Sequence, residues 1–157
     1  MEIRPAREED LQKVLSLLNE VTIDLHQKGI NQWEHPWEKK RLLSQLSNRH
    51  LYVLLSEDDQ IAGTFCLKDI HRINDIPVEL NSRYLYQIAL LPKYQGSNFG
   101  AEIIGFACSL VKQNEKTLYL DCWSGNEKLK AFYSSNGLTY EGDFPEDDYM
   151  ISIFKYN

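Results

Sequence analysis

The chain has 157 residues, 43% of them hydrophobic and 25% charged, which fits a single globular domain over 1–157 with one sizeable core. A net charge of −6 argues against bulk binding to nucleic acid and is compatible with a cationic small partner. No apolar run approaches the ~20 residues of a membrane span, and Met1-Glu2-Ile3-Arg4 begins no signal peptide.

Glu2 to Pro5 is expected to form a first strand. Leu11, Val14, Leu15, Leu18, Val21 and Leu25 recur at three- and four-residue steps and predict one face of an amphipathic helix. Glu8, Glu9 and Asp10 suit the positive end of its dipole, and Gly29 is a plausible stop. GINQWEHPW comes next as a loop, and Trp37 to Leu46 reads as a second helix. Leu51–Leu55 and Ile61–Leu67 read as strands of a hairpin joined by Asp58-Asp59-Gln60. Residues 68 to 81 read as a polar connection, and Arg83 to Leu91 as a strand that Pro92 ends. A third helix is expected from about Gly96 to Lys112, a strand over Thr117–Trp123, and a helix over Glu127–Ser135 stopped by Asn136-Gly137. Strands near Thr139–Gly142 and Tyr149–Lys155 complete the order β-α-α-β-β-β-α-β-α-β-β, a mixed sheet with helices on its faces.

The turn Gln95-Gly96-Ser97-Asn98-Phe99-Gly100 enters the third helix from a strand. Backbone amides from Gly96 to Ala101 lack intrahelical partners there, and the helix dipole favours an anion beside them. Asparagine is among the few residues besides glycine that enter the left-handed region readily, so Asn98 weakens such a cradle without destroying it. GK[ST] is missing, which argues against a Walker-type loop. On these residues alone, an anion cradle and a plain turn both stand. Cys66, Cys108 and Cys122, without CxxC spacing, argue against a disulfide framework or zinc site and read as buried thiols in a reducing cytoplasm. His26, His35, His50 and His71 show no metal-ligand spacing, and no metal is expected.

Tyr86-Gln87-Ile88-Ala89-Leu90-Leu91-Pro92, then Gln95 to Ala101, then Leu120-Asp121-Cys122-Trp123-Ser124-Gly125-Asn126, then Ala131-Phe132-Tyr133, closely resemble the GNAT superfamily of N-acetyltransferases. Ile3-Arg4-Pro5-Ala6 with Glu9-Asp10-Leu11 resembles that family's usual start, so the likeness covers nearly the whole chain in order. The resemblance implies an α/β (α+β) fold with a mixed, mainly antiparallel sheet of six to seven strands and about four helices. It implies acetyl-CoA as cosubstrate and acetyl transfer to a primary amine by direct attack in a ternary complex. Ile88, Ala89 and Leu90 resemble the strand residues that pair with the pantetheine arm, and Gln95, Gly96, Ser97, Asn98, Phe99, Gly100 and Ala101 match the pyrophosphate loop. Asn126 matches an asparagine that contacts the cofactor arm, and Tyr133 a tyrosine near the CoA sulfur that can protonate the leaving thiolate.

Asp121 matches a position where some members carry a catalytic glutamate, and a strand-ordering carboxylate is the alternative. Glu79 and Tyr84 are weaker candidates for the base. The loop between the first helices commonly binds the acceptor, which gives Trp33 and Glu34 substrate-side roles against the alternative that the tryptophans anchor the loop, and the strand residue Tyr84 is assigned to the acceptor as well. A small amine is the expected acceptor; a protein N-terminus or lysine, and a noncatalytic acyl-CoA sensor, are the alternatives. Homodimers are common in this family, and neither nucleic acid nor membrane is expected as a partner.

Overall fold

The computed structural model describes residues 2–157. Seven strands form one mixed sheet in the order β1-β2-β3-β4-β5-β7-β6. They are β1 (Glu2–Pro5), β2 (Leu51–Leu55), β3 (Ile61–Ile73), β4 (Ile76–Leu90), β5 (Thr117–Trp123), β6 (Thr139–Glu146) and β7 (Tyr149–Tyr156). Four helices accompany them: α1 (Leu11–Gln27), α2 (Lys39–Ser47), α3 (Phe99–Gln113) and α4 (Glu127–Ser135). The chain resolves into two compact units, one running to Cys66 and adding Gln87–Ile103, the other comprising Leu67–Tyr86 and Ile104–Asn157.

In the first unit, β2 pairs antiparallel with β1 and β3, setting Ile3 opposite Leu54 and Val53 opposite Thr64. α1 buries Leu11, Val14, Leu17, Leu18 and Val21, while Leu15 and Leu25 lie at its half-buried margin. Glu8–Asp10 form a separate 3-10 turn before α1, and Asp10 serves the strand as well as the helix. Its carboxylate accepts from Arg4 at 2.7 Å and from the Arg7 N–H at 2.8 Å, and the Arg4 hydrogen bond holds it below the usual carboxylate range. Gly29, at φ 81°, ends the helical turn as expected.

Gly63 lets β3 lie against the end of β4. A Cβ there would stand 2.6 Å from Leu90 Cδ2 and 2.9 Å from the Ala89 carbonyl oxygen, and the second is backbone that cannot turn aside. Gly63→Ala is therefore expected to destabilise the protein by about 1–3 kcal/mol, the usual cost of overpacking. A lower urea midpoint with an unchanged slope is the readout.

The second unit differs from expectation between residues 68 and 81. β3 and β4 continue through that segment and meet at Asn74-Asp75, where Asn74 takes φ 52°. The segment reads as a loop because most of its side chains are exposed; Ile70, Ile73, Ile76 and Val78 nevertheless join a cluster around Tyr119, Ile151 and Ile153. β5 runs parallel to β4, pairing Tyr84 with Tyr119, and antiparallel to β7, pairing Asp121 with Ile153 and Leu120 with Phe154. β6 and β7 pair over Thr139–Glu146, further than the sequence suggests, through a bulge at Gly142.

Candidate active site

The loop after β4 carries two left-handed residues, Gly96 at φ 80° and Asn98 at φ 69°. This is the conformation that Asn tolerates better than other residues with a Cβ. It also explains why α3 begins at Phe99 and not near Gly96: a helix cannot propagate through positive φ. The Asn98 carbonyl accepts the Glu102 N–H at 3.2 Å, so the amides of Phe99, Gly100 and Ala101 lie before the first intrahelical donor. A Cβ built on Gly96 meets no heavy atom within 4 Å, which leaves open space at the turn. Gln95 Nε2 donates to the Leu90 carbonyl at 3.0 Å, tying the loop to the end of β4, and Ser97 Oγ donates to the Tyr94 carbonyl. Ile88 and Leu90 are half-buried and Ala89 is buried. This arrangement fits an anionic diphosphate on the first turn of α3.

The loop between α1 and α2 is anchored by Trp37. Its indole Nε1–H donates to Thr22 Oγ1 at 2.8 Å and its backbone N–H to Asn19 Oδ1 at 2.8 Å. Trp37 therefore precedes α2, which begins at Lys39, and its ring is buried under Arg41. Trp33 meets Trp37 edge-on at 5.5 Å and stays half-buried, and Glu34 is exposed.

In the second unit Asp121 and Tyr133 lie on opposite faces of β5. Asp121 shares a face with Tyr119 and with its cross-strand partner Ile153, because side chains alternate along a strand. The Tyr84 hydroxyl donates to Asp121 Oδ2 at 2.6 Å. Burial in this apolar setting pushes Asp121 up to about 6, the Tyr84 hydrogen bond opposes that rise, and the Glu146 carboxylate adds to it. Tyr84 stacks on Tyr86 with centroids 5.3 Å apart, and burial with the Asp121 charge holds its phenol above the ordinary range.

Tyr133 lies on the opposite face. Its ring packs edge-on against Phe154, the partner of Leu120, at 5.5 Å. Burial first, then Cys122 and Asp121, hold its phenol above the ordinary value, so it stays protonated at neutral pH. Cys122 is buried and pushed up to about 11, a thiol and not a nucleophilic thiolate. Asn126 caps α4, its Oδ1 accepting from the Leu129 N–H at 3.0 Å, which commits the oxygen to the helix. Glu79 is paired with Lys155 at 3.0 Å and lies outside the Tyr84–Asp121 pair.

Two contributors escape sequence reading. Glu146 accepts from Tyr149 at 2.7 Å and from Asn74 at 3.1 Å, and it acts on Asp121 only through strand pairing that brings β6 and β7 alongside β5. Gln45 reaches Gln87 from α2, and only the buried helical position of Gln45, three residues after Leu42, hints at it. Among the described residues no group of His, Cys, Asp or Glu is arranged to hold a metal, and no helix is long and apolar enough to cross a membrane.

Comparison with known proteins gives the family and the fold. A family model described as the acetyltransferase (GNAT) family matches residues 6–138. The chain is 24% identical over 147 residues to the uncharacterized N-acetyltransferase YesJ of Bacillus subtilis strain 168, covering 88% of this chain and 81% of that one. A GNAT-family acetyltransferase structure from Listeria monocytogenes superposes with a TM-score of 0.78 at 19% identity, over 99% of this chain and 93% of the other. The PaiA N-acetyltransferase of Thermoplasma acidophilum, solved in complex with coenzyme A, superposes with a TM-score of 0.72 at 19% identity, over 99% and 98%. At these identities the two structures share the fold.

Proposed function

The chain belongs to the acetyltransferase (GNAT) family and is an N-acetyltransferase, and from that premise we propose that it moves acetyl from acetyl-CoA to the primary amine of a small molecule by direct attack in a ternary complex. The observation that carries this reading is the division of labour across β5. A carboxylate poised near 6 lies on one face and a protonated phenol on the other. Acyl transfer asks for that pair, because a proton must leave the attacking nitrogen and another must reach the departing sulfur.

An alkylammonium of pKa ~10 is not deprotonated at equilibrium by a base near 6. The neutral fraction of the amine attacks, its ammonium proton having gone to solvent, and Asp121 takes a second proton, directly or through water, once attack on the carbonyl makes the nitrogen acidic. Tyr84 holds one carboxylate oxygen and leaves the other for that task. Tyr133 is a weaker acid than a thiol of pKa ~8.5, so it does not pass its proton wholly to the departing sulfur. It donates a hydrogen bond that strengthens as negative charge gathers on sulfur, and the released thiolate takes its proton from solvent.

We assign the cosubstrate pyrophosphate to the amides of Gly96 through Ala101, with Gln95 bracing the loop. The pantetheine arm goes to the backbone of Ile88, Ala89 and Leu90 and to Asn126, whose Nδ2 remains for the cofactor while its Oδ1 caps α4. Trp33, Glu34 and Tyr84 are assigned to the acceptor; the carboxylates of Glu34 and Glu146 favour an ammonium, as does the chain's charge of −6.

Asn98 sharpens the cofactor assignment. Asn98→Ala is expected to weaken acetyl-CoA binding about tenfold, because alanine pays about 1–2 kcal/mol for the left-handed backbone. Asn98→Gly keeps φ positive and should bind within about threefold of wild type. Titration calorimetry reads both, and a marked loss in Asn98→Gly would show the side-chain amide to be a ligand contact. The cofactor reading itself is tested by melting. Acetyl-CoA at a hundred times its Kd should stabilise the native state by about 2.7 kcal/mol, and an unmoved Tm would sink the assignment.

A further inference from the structure

Gln87 stands inside β4 at φ 56°, a backbone that extended strands do not use and that a residue with a Cβ enters at a cost. Glycine or asparagine would take this conformation more readily, so the presence of glutamine points to a use for its longer side chain. That side chain is buried and paired with Gln45 through two amide hydrogen bonds of 3.0 Å, each Nε2 donating to the other's Oε1. A reciprocal amide pair satisfies both groups in the core without a charge, and its geometry admits little slack. Gln45 projects from the buried side of α2, three residues after Leu42, so a rigid helix supplies one half of the clasp.

A left-handed residue in a strand turns the neighbouring peptide groups out of the regular ladder and re-aims the residues after it. In β4 those residues are Ile88-Ala89-Leu90, the backbone assigned above to acetyl-CoA. Resting on that reading, we propose that Gln45 is a positioning residue. Through its clasp on Gln87 it holds the left-handed step in β4 and thereby the direction in which Ile88, Ala89 and Leu90 present their N–H and C=O groups to the cosubstrate.

The alternative is a clasp that only satisfies two buried amides. The two separate in a double-mutant cycle of Gln45→Leu and Gln87→Gly, following kcat, the KM of each substrate and Tm. Gln45→Leu should raise the acetyl-CoA KM and lower kcat by about tenfold each, the scale on which misplaced reactants slow an enzyme, while the acceptor KM holds. Gln87→Gly takes positive φ without support, so adding Gln45→Leu to it should change kcat and the acetyl-CoA KM by less than about twofold. Two results overturn the proposal: Gln45→Leu lowers Tm while the kinetic constants measured well below it are unchanged, or it costs as much in the Gln87→Gly background as in wild type. If Gln45→Leu does not fold, Gln45→Asn, an amide too short to span the gap, replaces it in the same cycle. Melting of wild type with acetyl-CoA comes first. A wild type that acetyl-CoA does not stabilise removes the cofactor reading and this proposal with it, whereas a stabilised wild type with unaffected Gln45 variants removes the clasp alone.

Discussion

Tyr133→Phe is expected to lower kcat about a hundredfold and to leave the Kd of acetyl-CoA within about twofold of wild type. The substitution removes one hydroxyl and keeps the ring that packs against Phe154, so the fold around α4 should persist. The lost interaction belongs to the transition state: neutral thioester sulfur is a poor acceptor, whereas departing thiolate is a strong one. Loss in kcat with unchanged cofactor affinity is the signature of such a contact. The defect should also shrink with an acyl donor whose leaving thiol is more acidic, because that thiolate needs less help. Equal defects with both donors, or unchanged turnover, would remove Tyr133 from the chemistry.

Asp121→Asn carries the second large effect, with kcat/KM expected to fall by about 10²–10³. For wild type, kcat/KM for the acceptor, expressed per neutral amine, should climb through pH 6 as Asp121 ionises and then level, and the Asn variant should lose that limb. Stability moves the opposite way. The folded-state pKa of Asp121 lies above its unfolded value of 3.8, so the native state binds the extra proton between the two. This group's contribution is thus fully present below about pH 4 and is lost as pH rises through about 6. At pH 8 the native protein carries a buried carboxylate that the Asn variant lacks, and the amide oxygen of that variant can still accept the Tyr84 hydroxyl. Asp121→Asn should therefore melt several degrees higher at pH 8 and show a smaller gain at pH 4. A variant both inactive and less stable at pH 8 would mark Asp121 as a structural carboxylate.

The sequence carried most of this in local form. The strand expected over Thr117–Trp123 and the helix expected over Glu127–Ser135, with its stop at Asn136-Gly137, match β5 and α4 to the residue. The tolerance of asparagine for positive φ anticipates the turn at Asn98. The features that stayed hidden depend on partners distant in the chain. The hairpin through Asn74-Asp75 is largely exposed, and its apolar residues join a cluster only because β5 and β7 lie nearby. Trp37 looks like a helix start until Thr22 and Asn19 claim its two N–H groups. Burial raises Asp121 first, and its two polar partners are distant: Glu146 on β6 adds to the rise, and the Tyr84 hydroxyl, 37 positions earlier, opposes it. The left-handed backbone of Gln87 has no local signature, since its partner Gln45 is 42 positions away.

The most direct test is a panel of small primary amines, polyamines and short peptides assayed with acetyl-CoA, following thiol release and confirming the acetylated product by mass. Release of CoA with a small amine, at a rate that Asp121→Asn and Tyr133→Phe both depress, is the predicted result. Turnover with peptides alone would contradict the assigned acceptor, and acetyl-CoA binding without turnover on any amine would contradict the proposed transfer by this chain.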